Sequence, residues 1–148
     1  MAVRYVRAHR ASSAASLTSI IHVWAYISHL RDPINFYLDH VPGIAAAASP
    51  FTPQAEVMLY LLGNVYLLLA ALAVICCWTR HRSIVQYYLL VVAFADLGHI
   101  YATYRVFGWE KFVDFAQWND MAWGSVGGSV FLHINRLATL LGLFGKLK

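Results

Sequence analysis

The sequence predicts an all-α protein in which four transmembrane helices form an up-down bundle, within a single membrane domain covering residues 1–148. Three observations support this fold class: 60% of the residues are hydrophobic, only 12% are charged, and long apolar runs alternate with short polar connections. Soluble domains average about 45–50% apolar and about 25% charged residues, and a chain of about 150 residues buries only about 70% of its unfolded surface. The composition therefore excludes a soluble globular domain, a disordered tail and a nucleic-acid-binding module, although the formal net charge is +4.

Four apolar runs approach the length of about 20 residues that a helix needs to cross the hydrocarbon core of a bilayer. We expect the spans at residues 15–30, 55–78, 84–104 and 121–144. The first span is the shortest, and we expect it to be retained, because no small-x-small cleavage site follows it. Arg31-Asp32-Pro33 is expected to end this span, since proline removes a backbone donor and the residue before it avoids the helical region. A loop that holds Pro42, Gly43 and Pro50 is expected to follow.

The structure of the later connections can also be predicted from their residues. Thr52-Pro53 is typical of a helix start, and residues 79–83 form a tight basic hairpin between the second and third spans. Residues 105–120 join the third and fourth spans, and their aromatic side chains are Trp109, Phe112, Phe115 and Trp118. This amphipathic pattern predicts a helix that lies in the membrane interface.

The distribution of basic residues predicts the orientation. Those on one side of the predicted spans are Arg4, Arg7, Arg10, Arg80, Arg82, Lys146 and Lys148. The opposite side has Arg31, Arg105 and Lys111, together with all the acidic loop residues. The positive-inside rule therefore places both termini in the cytosol, which agrees with an even number of spans.

Ionisable residues inside the spans are the first candidates for function, because each costs about 2.5–3.5 kcal/mol on insertion scales. Asp96 and His99 lie three residues apart in the third span, which predicts that they share one helix face. An aspartate that accepts a hydrogen bond from an imidazole fixes its tautomer and raises its basicity. We expect this pair to be catalytic, with a purely structural Asp–His pair as the alternative.

Further polar residues are expected to bind a substrate. His22, Tyr26 and His29 recur along one face of the first span, which predicts either the wall of a pocket or a helix contact. Arg136 and His133 lie in the fourth span, where the arginine either reaches the headgroups or points inward as an anchor. The remaining candidates are Glu56, Asn64 and Trp123.

No cofactor and no metal are expected. Haem ligation needs two histidines at equal depth on different helices, and the repeated spacing of two-haem bundles is missing. A metal site formed by His29, His99 and Asp96 stays open as an alternative. Cys76 and Cys77 are adjacent, so they point about 100° apart on a helix and are interpreted as small apolar residues rather than a redox pair.

Three motifs carry a resemblance to a known family: DLGHIYATYRVFGW in the third span, W-N-D-x-x-W from Trp118 to Trp123, and HINR in the fourth span. From about His22 onward the chain resembles a family of small fungal four-span membrane proteins of largely unknown function, some associated with secondary-metabolite biosynthesis. It is more distantly similar to EXPERA-type sterol isomerase bundles, whose acidic pair is not matched here. The resemblance implies Asp96, His99 and Arg136 as the polar signature and the endoplasmic reticulum membrane as the location.

Two functions follow as expectations. The leading one is a cofactor-independent cyclase or isomerase, which moves a proton of a hydrophobic natural-product intermediate in a pocket between the helices. The alternative is a non-catalytic partner of a second membrane enzyme, or a sterol- or lipid-binding protein. The small residues Gly124, Gly127 and Gly128 favour close approach of another helix, either from such a partner or from a second copy of the chain.

Overall fold

The computed structural model describes residues 18–43, 50–79 and 81–144. Within these ranges nearly every residue is helical and no strand occurs. The all-α part of the predicted fold class is therefore confirmed. The predicted basic N-terminal segment, Arg80 and the last four residues lie outside the described residues.

The first helix, α1, covers residues 18–31 of the described chain, and α2 (Pro33–Asp39) follows almost at once. Pro33 ends α1 as expected, but it also begins α2, because proline suits the first position of a helix. The Asp32 carboxylate caps α2 by accepting a hydrogen bond from the backbone N–H of Asn35 at 3.1 Å. Where the sequence predicts a loop after the first span, the structure therefore has a short helix.

The third helix, α3 (Pro53–Trp78), begins at the predicted Thr52-Pro53 start. The Thr52 hydroxyl accepts a hydrogen bond from the backbone N–H of Ala55 at 3.2 Å, which satisfies one of the free donors of the first turn. A short connection then leads from Trp78 to α4 (Arg82–Val113). The predicted second span is confirmed as a helix, and the connection that follows it lies within the residues predicted to form the hairpin.

The fourth helix, α4, is longer than the expected span of 84–104 and includes half of the segment predicted to be a separate interfacial helix. Its direction changes at Gly108, whose φ of 72° lies in the left-handed region that glycine adopts readily. A 3₁₀ turn (Phe115–Gln117) follows the end of the helix. The amphipathic segment is therefore the bent end of α4 and a turn rather than an independent helix.

The last part of the chain runs through α5 (Asp120–Ala122), a π-helical segment (Trp123–Gly127) and α6 (Gly128–Leu140). The Asn119 side chain begins this run by accepting a hydrogen bond from the backbone N–H of Ala122 at 2.9 Å. Helix α6 ends before the predicted limit of residue 144, because the chain turns at Gly142 with a φ of 75°. The predicted fourth span is thus helical with a π-helical irregularity in its glycine-rich start.

Two of the described helices are long and apolar enough to cross a membrane: Pro53–Cys76, with a mean hydropathy of 2.3, and Arg82–Val113, with 1.4. Large apolar side chains point outward from both, as Leu68 on α3 and Phe94 on α4 illustrate. Helix α4 packs chiefly against α6, while α1 lies along α3, where the Ser19 hydroxyl donates to the carbonyl oxygen of Ala70 at 3.4 Å.

Candidate functional site

A buried ion pair joins Asp96 and Arg136, the two charged residues that lie away from the ends of the predicted spans. The guanidinium of Arg136 on α6 donates from Nη1 to Oδ2 of Asp96 on α4. Its Nη2 donates to the hydroxyl of Thr18 on α1 at 3.1 Å. Arg136 is only 2% exposed and Asp96 9%. The arginine therefore points inward, which decides between the two orientations considered above, and one side chain ties three helices together.

His99 does not share this site. It lies one turn beyond Asp96 on α4, but its side chain is exposed whereas that of Asp96 is buried. Residues three apart on a helix differ by about 60° in direction, which is enough to carry His99 out of the packed face. Among the described residues, Asp96 accepts its hydrogen bond from Arg136 and none from His99. The predicted Asp–His pair is not formed, and the catalytic role of the two residues stays a prediction.

His22 reaches the ion pair indirectly, through Thr18. Its Nδ1 lies 2.6 Å from the carbonyl oxygen of Thr18, and because a carbonyl can only accept, Nδ1 donates. The neutral ring then leaves Nε2 as an acceptor. Its ring also packs against Tyr66 on α3, at 5.9 Å between the ring centroids. Thr18 lies four residues before His22 and therefore on the same face of α1. The sequence pattern that selects His22 thus also points to Thr18.

His29 is buried more completely than almost any other described side chain, with 1% exposure. Its ring lies directly against Gly63 of α3, in the space that a Cβ would occupy. Aromatic rings surround it at centroid distances of 5.2 Å for Tyr26, 6.0 Å for Phe36 and 6.0 Å for Tyr60. Among the described residues Nδ1 of His29 has no hydrogen-bond partner, which is uncommon for a buried polar atom.

The remaining predicted residues fall into separate places. The carbonyl oxygen of Ala93 on α4 lies 3.0 Å from Nδ1 of His133, so this half-buried histidine donates to it and links α6 to α4. Glu56 and Asn64 are exposed on α3 and do not reach the ion pair. Trp123 belongs to a group of aromatic rings near the bend of α4, where it meets Trp118 edge to face at 5.0 Å between the ring centroids.

A cavity of about 300 Å³ opens between α2 and α3. It is lined by Tyr37, Leu38, His40, Val41, Ala55, Met58, Leu59 and Leu62. The carbonyl oxygen of Phe36 lies 2.6 Å from Nδ1 of His40, so the nitrogen donates and Nε2 of the neutral ring keeps a free lone pair. The Phe36 ring contacts His40 on one side and His29 on the other, at 4.8 Å and 6.0 Å between centroids. This cavity is not predictable from the sequence pattern, because one of its walls is α2, in a stretch where the sequence predicts a loop.

Metal binding has no support in the side-chain geometry of the described residues. His29, His99 and Asp96 do not converge, and no other group of three histidine, cysteine or acidic side chains within the described ranges can hold a metal ion. Cys76 is buried, which agrees with its interpretation as a small apolar residue. The side chains that the structure places around these positions offer imidazole, phenol and the buried ion pair.

Comparison with known proteins gives a family. A profile described as a domain of unknown function, DUF7704, matches residues 16–146. The chain belongs to the DUF7704 family. The DUF7704 match covers the whole of the helical region described above, including the ion pair and the cavity. No curated protein matches the chain, and no solved structure matches it either.

Proposed function

We propose that this DUF7704 protein is a four-span integral membrane protein, with both termini in the cytosol, that binds a hydrophobic small molecule. Helices α3 and α4 have the length and composition of spans. A further span is supported by the unbroken run of α5, the π-helical segment and α6, which contribute 3, 5 and 13 residues. Exposed apolar side chains on α1, such as Ile20 and Trp24, favour contact with lipid there as well. The endoplasmic reticulum is the membrane that we propose.

The cavity between α2 and α3 is the observation that carries the binding proposal. Its volume of about 300 Å³ is at the lower end of the range of about 300–1,000 Å³ for small-molecule sites. Aliphatic and methionine side chains form most of the wall, and Tyr37 and His40 supply its polar side-chain atoms. The ligand is therefore proposed to be largely apolar with one polar group, as a sterol or another lipid is, and to enter from the bilayer.

The ion pair between Asp96 and Arg136 argues against proton transfer by Asp96, and it therefore favours the binding function over the enzymatic one. A general base needs a lone pair on an atom that lies within about 2.6–3.2 Å of the heavy atom whose proton it removes. The Asp96 carboxylate is buried and already bonded to Arg136. Breaking this pair would leave an uncompensated charge inside the bundle, which costs about 3–5 kcal/mol. We therefore assign the pair to holding the helices together.

A second candidate function is the cofactor-independent cyclase or isomerase, and His29 is the observation that favours it. Its buried imidazole has an Nδ1 without a partner among the described residues, and the Phe36 ring contacts both it and His40 at the cavity wall. Imidazole titrates near neutral pH and is a frequent general acid or base. In this candidate His29 exchanges a proton with a hydrophobic natural-product intermediate.

Filling the cavity tests the binding proposal. The full chain is reconstituted in lipid nanodiscs with photoactivatable cholesterol or a photoactivatable long-chain fatty acid, and labelling is mapped by mass spectrometry. We expect labelled peptides from α2 and α3, and a loss of labelling in Leu62→Trp, whose larger side chain occupies the cavity. Val65→Trp is the matched control, since Val65 lies on the same helix but is exposed away from the cavity. Equal labelling of the two variants would overturn the proposal.

The enzyme candidate is separated from the binding candidate by the ligands that the protein retains. Wild type and His29→Gln are purified from the same cells, and their bound lipids are compared by liquid chromatography with mass spectrometry. A compound of identical mass but different retention in the variant indicates a substrate that is no longer isomerised or cyclised. An identical ligand in both contradicts a catalytic role for His29, and a co-purifying membrane enzyme with no bound lipid favours the partner role instead.

A further inference from the structure

Asn64 occupies an unusual position on α3. The candidate span Pro53–Cys76 is the most apolar of the described chain, with a mean hydropathy of 2.3, and Asn64 lies at its middle. Its side chain is exposed, and it makes no hydrogen bond to any other described residue. In a bilayer this places a primary amide against hydrocarbon, where no water is available to satisfy it. No described residue satisfies this amide, which points to a partner beyond the described residues.

The opposite face of α3 is already occupied. His29 lies against Gly63, His22 packs on Tyr66, and Ser19 donates to the Ala70 carbonyl. These contacts come from α1 and follow one stripe of α3. At 100° per residue, Asn64 lies about 100–160° around α3 from the three residues of the covered stripe. No described helix covers the face on which it lies, since Asn64 and its neighbours along that face are exposed.

The residues aligned with Asn64 form a continuous stripe that we call the outer seam. It consists of Val57, Leu61, Asn64, Leu68, Ala71 and Ile75, which alternate at intervals of four and three residues, and all of them are exposed. This is the interval of the a and d positions of a coiled coil. Almost every position of α3 is apolar, so an apolar pattern alone does not distinguish one face from another. The amide of Asn64 is what distinguishes this face. A single asparagine at such a position typically specifies register and partner number.

A second copy of the chain suits Asn64 better than a different partner does. An amide carries both a donor and an acceptor, so two amides can satisfy each other. Around a two-fold axis each residue of a seam meets its own counterpart. Copies of one chain share their orientation in the membrane, so both Asn64 side chains lie at the same depth without further adjustment. An unrelated helix would need its own polar side chain at that depth.

We propose that the protein is a parallel homodimer in which the outer seams of two α3 helices pack together and the two Asn64 amides hydrogen-bond across the axis. The dimer leaves the α2–α3 cavity accessible, because the cavity-lining residues Met58 and Leu62 point away from the seam. This assignment is independent of the ligand proposed above.

Cysteine crosslinking in native membranes tests the geometry. The background is the full chain with Cys76→Ala and Cys77→Ala, and single cysteines replace Leu61 or Leu68 in the seam. Matched controls are Val65→Cys and Leu67→Cys, which lie at the same depth but about 80° to either side of the seam; they are exposed by 47% and 38%. We expect disulfide-linked homodimers for Leu61→Cys and Leu68→Cys and little for the controls. Equal crosslinking at all four positions, crosslinking only to other proteins, or none at the seam would overturn the proposal.

Replacement of Asn64 tests the amide itself. In Asn64→Leu we expect the dissociation constant of the dimer, measured by Förster transfer between labelled copies in liposomes, to rise about three- to tenfold, the range of interhelical hydrogen bonds. Asn64→Gln keeps the donor and acceptor and should retain most of the dimer. Normal cavity labelling of Asn64→Leu shows that the chain is folded. An unchanged dissociation constant in that variant refutes the role of the amide, and should the variant misfold, the crosslinking pattern still decides on the seam.

Discussion

Replacing Asp96 by asparagine leaves the buried guanidinium of Arg136 without its counter-charge. Arg136 is 2% exposed and Asp96 9%, so neither group can turn to water without opening the contact between α4 and α6. Removing one partner of a buried pair costs about 3–5 kcal/mol. We expect the lower end, about 3 kcal/mol, because a helix that separates inside a membrane finds other partners for its polar groups. For a chain of this size that is a loss of about 6–12 °C in Tm.

The double variant Asp96→Leu with Arg136→Met removes both charges and keeps apolar groups of similar length. Such replacements are often neutral or stabilising, so we expect a Tm within a few degrees of wild type or above it. The assay is thermal unfolding in lipid nanodiscs followed by circular dichroism, with Glu56→Gln as the control, since Glu56 is exposed on α3. If Asp96→Asn unfolds at the wild-type temperature, or if the double variant is as unstable as the single one, the ion pair does not hold the helices in the way described.

Three further substitutions test local features by the same measurement. Gly63→Ala places a Cβ on Cε1 and Nε2 of His29, so we expect the free energy of unfolding to fall by about 1–3 kcal/mol from overpacking. The control is Gly98→Ala, where nothing lies within 4 Å, and it should not destabilise the chain. Equal effects of the two substitutions would contradict the close contact. Thr52→Ala removes the cap of α3 and should cost about 1 kcal/mol, while Thr52→Asp retains it; a neutral alanine would show that the cap contributes nothing. Gly108→Ala forces a left-handed conformation on a residue with a Cβ, so a loss of about 1–2 kcal/mol is expected, and its absence would mean that the bend of α4 can relax.

Residues that act on the conformation or hydrogen bonding of the local backbone predicted helix boundaries well. Thr52-Pro53 predicted the start of α3, and the structure has its first residue and cap at those positions. Pro33 predicted only the end of α1. A proline that ends one helix is equally suited to begin the next, and Pro33 also begins α2. The sequence pattern did not predict the continuation of α4 through residues 105–113, where only the glycine at position 108 changes the direction of the chain.

The sequence by itself determined that the chain is helical and highly apolar, and that Asp96 and Arg136 are the residues with the greatest need of a partner. Composition and local chain geometry suffice for those conclusions, because each depends on a residue and its close neighbours. The identity of the partner depended on the tertiary structure. Asp96 pairs with a residue 40 positions away rather than with His99 three positions away, since helix packing, not sequence distance, decides which polar groups meet. The cavity at His40 and the burial of His29 against Gly63 likewise exist only once α1, α2 and α3 are packed together.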